Sequence, residues 1–166
     1  MIAVTGNMCS GKSSLIDLLY RATRLPVLSI DDYRRRYNSD ASWKLERELY
    51  RWMIDDIESL ESKRQSYLVE ITGASMSWPL LLHAACESTV IRLMCSVDTC
   101  ITRYDERLAT GYEMPPVPFD GGPHQSIQAI SDILDLVPYD IHLSSEQHTS
   151  AALIDRLGFL VKRYTK

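Results

Sequence analysis

One octapeptide near the start of the chain constrains the fold more than any other stretch. It reads Gly6-Asn7-Met8-Cys9-Ser10-Gly11-Lys12-Ser13, which fits a glycine, four residues, and then glycine, lysine and serine or threonine. The apolar residues 1–5 before it are typical of a short buried strand, and residues 14–22 after it have helical spacing. A strand, a glycine-rich turn and a helix in this order predict a P-loop.

The residue types of this loop suit a nucleoside triphosphate. Glycine lets the backbone approach an anion closely, and N–H groups at a helix N-terminus point toward that anion. We expect Lys12 to reach the β- and γ-phosphates and Ser13 to offer its hydroxyl to Mg²⁺. An ordinary glycine-rich turn is the alternative. The predicted nucleotide-binding residues are Gly6, Asn7, Met8, Cys9, Ser10, Gly11, Lys12, Ser13 and Ser14.

Composition and length indicate an ordinary globular chain. Its 166 residues are 45% hydrophobic and 24% charged, which predicts one domain over residues 1–166. The net charge of -4 argues against broad nucleic-acid binding, although a local contact with a nucleic-acid end stays open. The sequence has no long apolar run, and its first strand leaves no room for a leader, so we expect a cytoplasmic protein without membrane contact.

The four cysteines show no paired C-x-x-C spacing. Cys9, Cys86, Cys95 and Cys100 therefore favour buried free thiols over a disulfide framework. A zinc site that combines His83 with the last three cysteines is the weaker alternative, because the spacing is poor.

Short apolar segments alternate with helical patterns along the chain. The segments span residues 1–5, 27–30, 67–72, 89–95 and 139–143. This alternation predicts an α/β fold, with a parallel sheet and helices on both faces. Ligands of such sheets bind beyond the carboxyl ends of the strands. At that edge we expect the P-loop, the pair Asp31 and Asp32, residues 73–75 and residues from Ser96 onward.

Two further segments are predicted to flank the site. Residues 33–62 have the spacing of two helices, separated near Asn38, Ser39 and Asp40, and a segment of about 31–66 is expected to bind the second substrate. Residues 110–123 are rich in proline and glycine and favour a mobile lid, of about 104–124, over a proline-rich ligand for another domain. Other helices are predicted from Ser77 to about Glu87, at 98–109 and at 127–137. A last helix is expected to begin after a cap at Thr149 or Ser150 and to bury Leu153, Ile154, Leu157 and Leu160.

An aspartate pair and an arginine follow the second predicted strand. Phosphoryl transfer to a hydroxyl needs a carboxylate that orients the acceptor and accepts its proton. Asp31 is the expected base, although Asp32 stays open, and Arg34 has the geometry to hold the acceptor. In the alternative, one aspartate only caps the following helix, and Arg35 and Arg36 form surface ion pairs at i,i+4 spacing.

Arg103 and Arg107 are four residues apart on a predicted helix. Like charges at this spacing repel unless an anion lies between them, and a triphosphate would supply that anion. Neutralisation by Asp105, by Glu106 or by an acid that is distant in sequence, on a solvated face, is the alternative. The third strand carries Glu70 and ends at Thr72, and either could touch the metal indirectly, but the aspartate expected as second metal anchor is not present.

Together, the P-loop, the run Ile30-Asp31-Asp32-Tyr33-Arg34, the arginine pair and the following lid resemble the P-loop kinases of the nucleotide and small-molecule kinase group. The run is most similar to the kinase domain of phage-type polynucleotide 5′-hydroxyl kinases and related small ATP-dependent phosphotransferases. The resemblance implies ATP, Mg²⁺ and a five-stranded parallel sheet of order 2-3-1-4-5. It also implies that Asp31 is the general base, Arg34 the acceptor-side arginine, and Arg103 and Arg107 the lid arginines, beside the P-loop lysine Lys12.

These observations favour an ATP-dependent kinase that phosphorylates a hydroxyl of a small metabolite, a nucleoside or a nucleic-acid 5′ end. A nucleoside monophosphate kinase is one alternative, and a nucleotide-dependent switch or binding module is another. Trp43, Tyr50 and Trp52 could stack on a base, but core packing is the favoured role for these aromatic residues.

Overall fold

A computed structural model describes residues 1–38, 40–75, 77–118 and 121–165. Its strands are β1 (Ile2–Gly6), β2 (Val27–Ser29), β3 (Leu68–Glu70), β4 (Thr89–Met94) and β5 (Ile141–Ser144). Its helices are α1 (Lys12–Thr23), α2 (Ile30–Tyr37), α3 (Trp43–Ser62), α4 (Trp78–Ala84), α5 (Val97–Ala109), α6 (Pro123–Leu134), α7 (Ser150–Arg156) and α8 (Gly158–Tyr164).

The strands form one parallel sheet of order β2-β3-β1-β4-β5, which confirms the predicted fold. Strand β1 lies in the centre, where Val4 pairs with Glu70 of β3 on one side and with Ile91 of β4 on the other. The P-loop therefore leaves the carboxyl end of the central strand, between two neighbouring strands that also end there.

Helices cover both faces of the sheet, so both sides of each central strand are apolar. Ala3 of β1 packs into one core with Leu49 and Met53 of α3. Ile2 and Val4 point the opposite way, into a second core whose helical members include Leu15 and Leu19 of α1 and Leu153 of α7. A third cluster packs the P-loop against α5 and α6.

Two predicted boundaries are wrong in an informative way. Ile30 was expected to end β2, but it begins α2, with Ser29 in the N-cap position, so Asp31 and Asp32 lie in the first turn of a helix. The final helix is two helices, which meet at the buried Leu157 just before a glycine.

Other boundaries follow the prediction more closely. Thr149 caps α7 by accepting a hydrogen bond from the Ala152 amide, as expected, while Ile154 is only partly buried. Helix α4 ends at Ala84 rather than near Glu87. Ser39, one of the predicted helix breaks, lies outside the described residues, as do residues 119 and 120 of the predicted lid. Across residues 1–38, 40–75, 77–118 and 121–165, no helix combines the length and apolarity that a membrane span requires.

Candidate active site

The P-loop connects β1 to α1 through two glycines with positive φ. Gly6 has φ 152°, and a Cβ there would lie 2.6 Å from the carbonyl oxygen of Leu93 on β4. Gly11 has φ 99° and immediately precedes the first helical residue, Lys12. Side chains are therefore disfavoured at both positions, and the backbone can curve around an anion at the N-terminus of α1.

Side chains of the loop fix its shape. Asn7 donates from Nδ2 to the Ile127 carbonyl oxygen at 2.8 Å and accepts from the Met8 amide at 2.7 Å, which ties the loop to α6. Lys12 Nζ donates to the Asn7 carbonyl oxygen at 2.8 Å, so the lysine curls over the loop. An ammonium held in this position faces the space that phosphates would enter.

A carboxylate joins the loop from β3. Glu70 is buried, and its Oε1 accepts from Ser13 Oγ at 2.6 Å while its Oε2 accepts from Ser29 Oγ at 3.1 Å. Mg²⁺ prefers oxygen donors and usually keeps only one or two protein ligands beside phosphates and water. The hydroxyl of Ser13 and the carboxylate of Glu70 fit that ion. Glu70 thus supplies a carboxylate on β3, the strand on which an aspartate was expected as the second metal anchor.

Asp31 sits in a buried network of charged groups. Its Oδ1 accepts from Arg34 Nη1 at 2.7 Å. The Arg34 Nε donates to both carboxylate oxygens of Glu46 on α3, at 3.1 and 3.2 Å, and Nη2 also donates to Glu46. Burial alone would lower the pKa of Arg34, but hydrogen bonding with Glu46 and the charges around it raise that pKa. Arg34 therefore remains a cation beside Asp31.

The two aspartates of α2 differ in their surroundings. The Asp31 side chain is 33% exposed and is held by a buried arginine, whereas that of Asp32 is 73% exposed and lies 3.7 Å from Arg35. Both line the same cavity as Lys12 and Ser13 of the P-loop. Neither is the N-cap residue of α2, so simple helix capping does not account for the pair.

Glu46 was not predicted as a site residue. It shares one face of α3 with Trp43, Arg47 and Tyr50, and all four line the cavity. A glutamate at the helical spacing of buried Leu49, Tyr50 and Met53 is the sequence signal that could have found it, because a buried carboxylate needs a partner. The predicted acceptor-side role of Arg34 stays a prediction, and each of its guanidinium nitrogens already donates to a carboxylate.

Arg103 and Arg107 lie against the other side of the P-loop. Arg103 Nη1 donates to the Cys9 carbonyl oxygen at 3.4 Å and to Ser145 Oγ at 3.1 Å. The guanidinium of Arg107 lies over the Tyr112 ring, 5.5 Å from its centroid. Both arginines line a 210 Å³ cavity beside the P-loop, and neither forms an ion pair within the part of the chain that the structure describes. Neutralisation by Asp105 or Glu106 is thus not seen there.

The segment after α5 closes over the main cavity. The Tyr112 hydroxyl accepts from Arg35 Nη2 at 3.1 Å, which joins this segment to α2. The cavity has a volume of 1310 Å³ and extends from the P-loop, past Asp31 and Glu70, to α3 and α6. The predicted lid thus borders the same space as the P-loop and the predicted base.

The three aromatic residues predicted from the sequence differ in burial and in their contact with the cavity. Tyr50 is buried, as core packing predicts, but Trp43 is 54% exposed and Trp52 is 37% exposed, with its ring packed edge-on against Tyr37. Trp43 and Tyr50 line the cavity, and Trp52 does not belong to its described lining.

The cysteines are free thiols in this structure. Cys9 and Cys100 are buried and Cys95 is half-buried, but Cys86 is exposed, which corrects the expectation of burial for that residue. Burial raises the pKa of the Cys9 thiol. Among the described residues no cluster of three or more histidine, cysteine, aspartate or glutamate side chains is arranged to hold a metal ion, so the zinc alternative has no support.

Solved structures share this architecture, whereas neither a protein-family model nor a curated protein sequence matches the chain. A Chloroflexus aurantiacus protein provisionally described as a kinase is 21% identical, with a TM-score of 0.69 and coverage of 99% of this chain and 97% of that one. A shikimate kinase from Acinetobacter baumannii is 16% identical, with a TM-score of 0.64 over 99% and 94% of the two chains. A chain of a Pnkp1/Rnl/Hen1 complex is 19% identical, with a TM-score of 0.54, and the match covers 61% of this chain and 38% of that one. The chain has the fold of P-loop kinases.

Proposed function

We propose that this protein is an ATP-dependent kinase that transfers the γ-phosphoryl group to a hydroxyl, with Asp31 as the general base. One observation carries the proposal: the P-loop residues Lys12 and Ser13, the carboxylate of Glu70 and the partly exposed carboxylate of Asp31 all line one cavity. Donor cations and an acceptor-side base therefore share a single space, as phosphoryl transfer to an alcohol requires.

The P-loop side of the cavity would bind the donor. The amides at the start of α1 and the ammonium of Lys12 would hold the β- and γ-phosphates. Ser13 and Glu70 would hold Mg²⁺, directly or through water, and the ion would offset negative charge on the transferring group. Arg107, which lines both cavities, is placed to meet phosphate charge from the lid side.

The α2 side of the cavity would act on the acceptor. As a bond forms between the acceptor oxygen and the γ-phosphorus, the bond from that phosphorus to the β–γ bridging oxygen breaks and ADP leaves. The hydroxyl proton passes to Asp31. Arg34 holds this carboxylate in position, because its Nη1 donates to Asp31 Oδ1 at 2.7 Å.

The network around Arg34 favours an alcohol acceptor over a phosphate acceptor. In a nucleoside monophosphate kinase, guanidinium groups bind the acceptor phosphate, but each of the three guanidinium nitrogens of Arg34 already donates to Asp31 or Glu46. A hydroxyl acceptor instead needs a positioned carboxylate, which Asp31 supplies. The 5′ hydroxyl of a nucleic-acid end has the same chemistry, and the match to a chain of the Pnkp1/Rnl/Hen1 complex keeps it among the acceptors to be tested.

Kinetics of two neighbouring aspartate variants would test the base. With γ-labelled ATP and a panel of nucleosides, nucleotides, 5′-hydroxyl oligonucleotides, sugars and other alcohols, Asp31→Asn should lower kcat by about 10²- to 10⁴-fold. Asp32→Asn changes the same chemical group in the same helical turn and should leave kcat within about threefold, since Asp32 is mostly solvated. Equal losses in both variants, or a loss only in Asp32→Asn, would refute the assignment of Asp31.

A further inference from the structure

The main cavity has two unlike walls. Charged side chains of α2 and α3 form one wall around Asp31, Glu46 and Arg47. The lid segment and α6 form the other wall, and most of its described side chains are apolar: Met114, Pro115, Val117, Pro118, Ala129, Ile130 and Ile133. A molecule that fills this space meets polar groups on one edge and hydrocarbon on the other.

The apolar wall is open to ligand contact. Ile133 is 43% exposed although it faces the cavity, and Met114 and Val117 are partly exposed beside it. Apolar surface gathered in a concave site is typical of ligand pockets. The exposed faces of these three residues are therefore available to a substrate.

Size and desolvation restrict what can bind there. The 1310 Å³ volume is larger than the roughly 300–1000 Å³ of a usual small-molecule pocket, so a sizeable acceptor can lie beside the phosphates. A polyhydroxylated acid would place hydroxyls against the hydrocarbon of Met114, Val117 and Ile133, where they lose water and gain no hydrogen bond. A ring system with few polar atoms on that side incurs no such cost.

We infer that the acceptor is an alcohol with an apolar ring body, which packs on the lid and α6 while its hydroxyl points to Asp31. This inference rests on the proposed kinase function and names the acceptor class for the same site. Nucleosides and non-nucleoside ring alcohols share this chemistry.

A binding experiment can test the acceptor class without turnover. The full chain is saturated with Mg²⁺ and a non-hydrolysable ATP analogue, and affinities are measured by NMR titration for thymidine, 3-phenyl-1-propanol and D-gluconate. The two ring alcohols should bind and gluconate should not. Ile133→Asn should weaken binding of the ring alcohols by about tenfold, the scale of a lost apolar contact in a pocket.

Leu136→Asn provides the matched control. Leu136 is 84% exposed just after α6 and does not line the cavity, so the same change of side chain there should leave all affinities unchanged. Tighter binding of thymidine than of phenylpropanol would indicate that the acceptor is a nucleoside. The reverse order would indicate a non-nucleoside ring alcohol. Gluconate binding as tightly as the ring alcohols, or an Ile133→Asn variant with unchanged affinity, would overturn the inference.

Turnover separates this inference from the function on which it rests. Transfer of γ-label to gluconate but to no ring alcohol would support the kinase and overturn the acceptor class. Ring-alcohol binding that depends on Ile133, without transfer of label to any acceptor, would support the ligand class and overturn the proposed kinase function.

Discussion

The proposed donor and acceptor sides of the cavity are built by different means. Most of the donor side comes from eight consecutive residues, from Gly6 to Ser13, and its key groups are backbone amides positioned by glycines. The acceptor side joins Asp31 and Arg34 of α2 with Glu46 of α3, and its apolar wall comes from residues 114–118 and α6. A site built from backbone amides can come from one short segment, whereas a site built from side chains draws on residues that are far apart in the sequence.

The two sides also manage charge differently. The donor side holds cationic groups, such as Lys12 and Arg107, that have no carboxylate partner among the described ion pairs. On the acceptor side, Arg34 is neutralised by Glu46 and Asp31. These charges are consistent with the proposed polyanionic donor on one side and, on the other side, with a neutral acceptor that loses a proton.

Replacement of the donor-side cation should give the largest effect. Lys12→Ala removes the ammonium that faces the phosphates, so we expect kcat/KM for ATP to fall by about 10³-fold, as for loss of a key charge-stabilising donor. Steady-state kinetics would measure this. Lys162→Ala removes an exposed lysine of α8 and should be silent. Undiminished ATP affinity and turnover in Lys12→Ala would remove the basis of the donor site.

Replacement of the acceptor-side anion should mainly reduce stability. Glu46→Gln leaves Arg34 buried with too little compensating charge, and removal of one partner of a buried ion pair costs about 3–5 kcal/mol. Urea unfolding would measure this loss. The control is Glu48→Gln, which breaks an exposed pair with Arg51 and should cost less than about 1 kcal/mol. Equal, small losses would mean that the Arg34 network does not hold α2 against α3.

The next largest effect is expected at Glu70, which we propose as part of the Mg²⁺ site. Glu70→Gln keeps a hydrogen-bond acceptor for Ser13 but removes the negative charge, so we expect the Mg²⁺ concentration for half-maximal activity to rise about 10- to 100-fold. Titration of activity with Mg²⁺ at saturating ATP would measure the shift. A normal Mg²⁺ dependence would restrict Glu70 to bracing Ser13 and Ser29.

The smallest expected effect concerns the thiol within the P-loop. Burial raises the pKa of Cys9, so less thiolate is present at pH 8 than in an ordinary cysteine. Alkylation of Cys9 by iodoacetamide should therefore be slower than that of a free cysteine at pH 8 and should accelerate as the pH rises further. At any one pH, MgADP bound to the loop should slow the alkylation. Mass spectrometry of the labelled peptide would follow it. Fast labelling at pH 7 would contradict the buried, protonated thiol.

Sequence sufficed for features that are local in the chain. The alternation of strands and helices predicted the fold class, and the spacing of Gly6, Gly11 and Lys12 predicted the loop, because these patterns involve residues a few positions apart. The order of the strands, which pair over long separations, came only from the resemblance. The end of β2 was missed at Ile30, since an apolar residue there suits either a buried strand end or a buried first helical turn.

The contacts that complete the site are not local. Ser13 and Glu70 are 57 residues apart and Arg34 and Glu46 are 12 apart, so their pairing depends on how β3 and α3 pack. The sequence also could not show which apolar residues of the lid and α6 line the cavity. An apolar residue at the same helical spacing can face either the core or a ligand.

Phosphorus NMR of the reaction products would show whether the protein phosphorylates an alcohol. The full chain is incubated with MgATP and the acceptor panel, and the form of the transferred phosphoryl group is identified. We expect a phosphate monoester on an alcohol oxygen, formed by the wild-type chain and Asp32→Asn but strongly reduced in Asp31→Asn. Release of inorganic phosphate alone, or transfer onto the phosphate of a nucleotide, would contradict it.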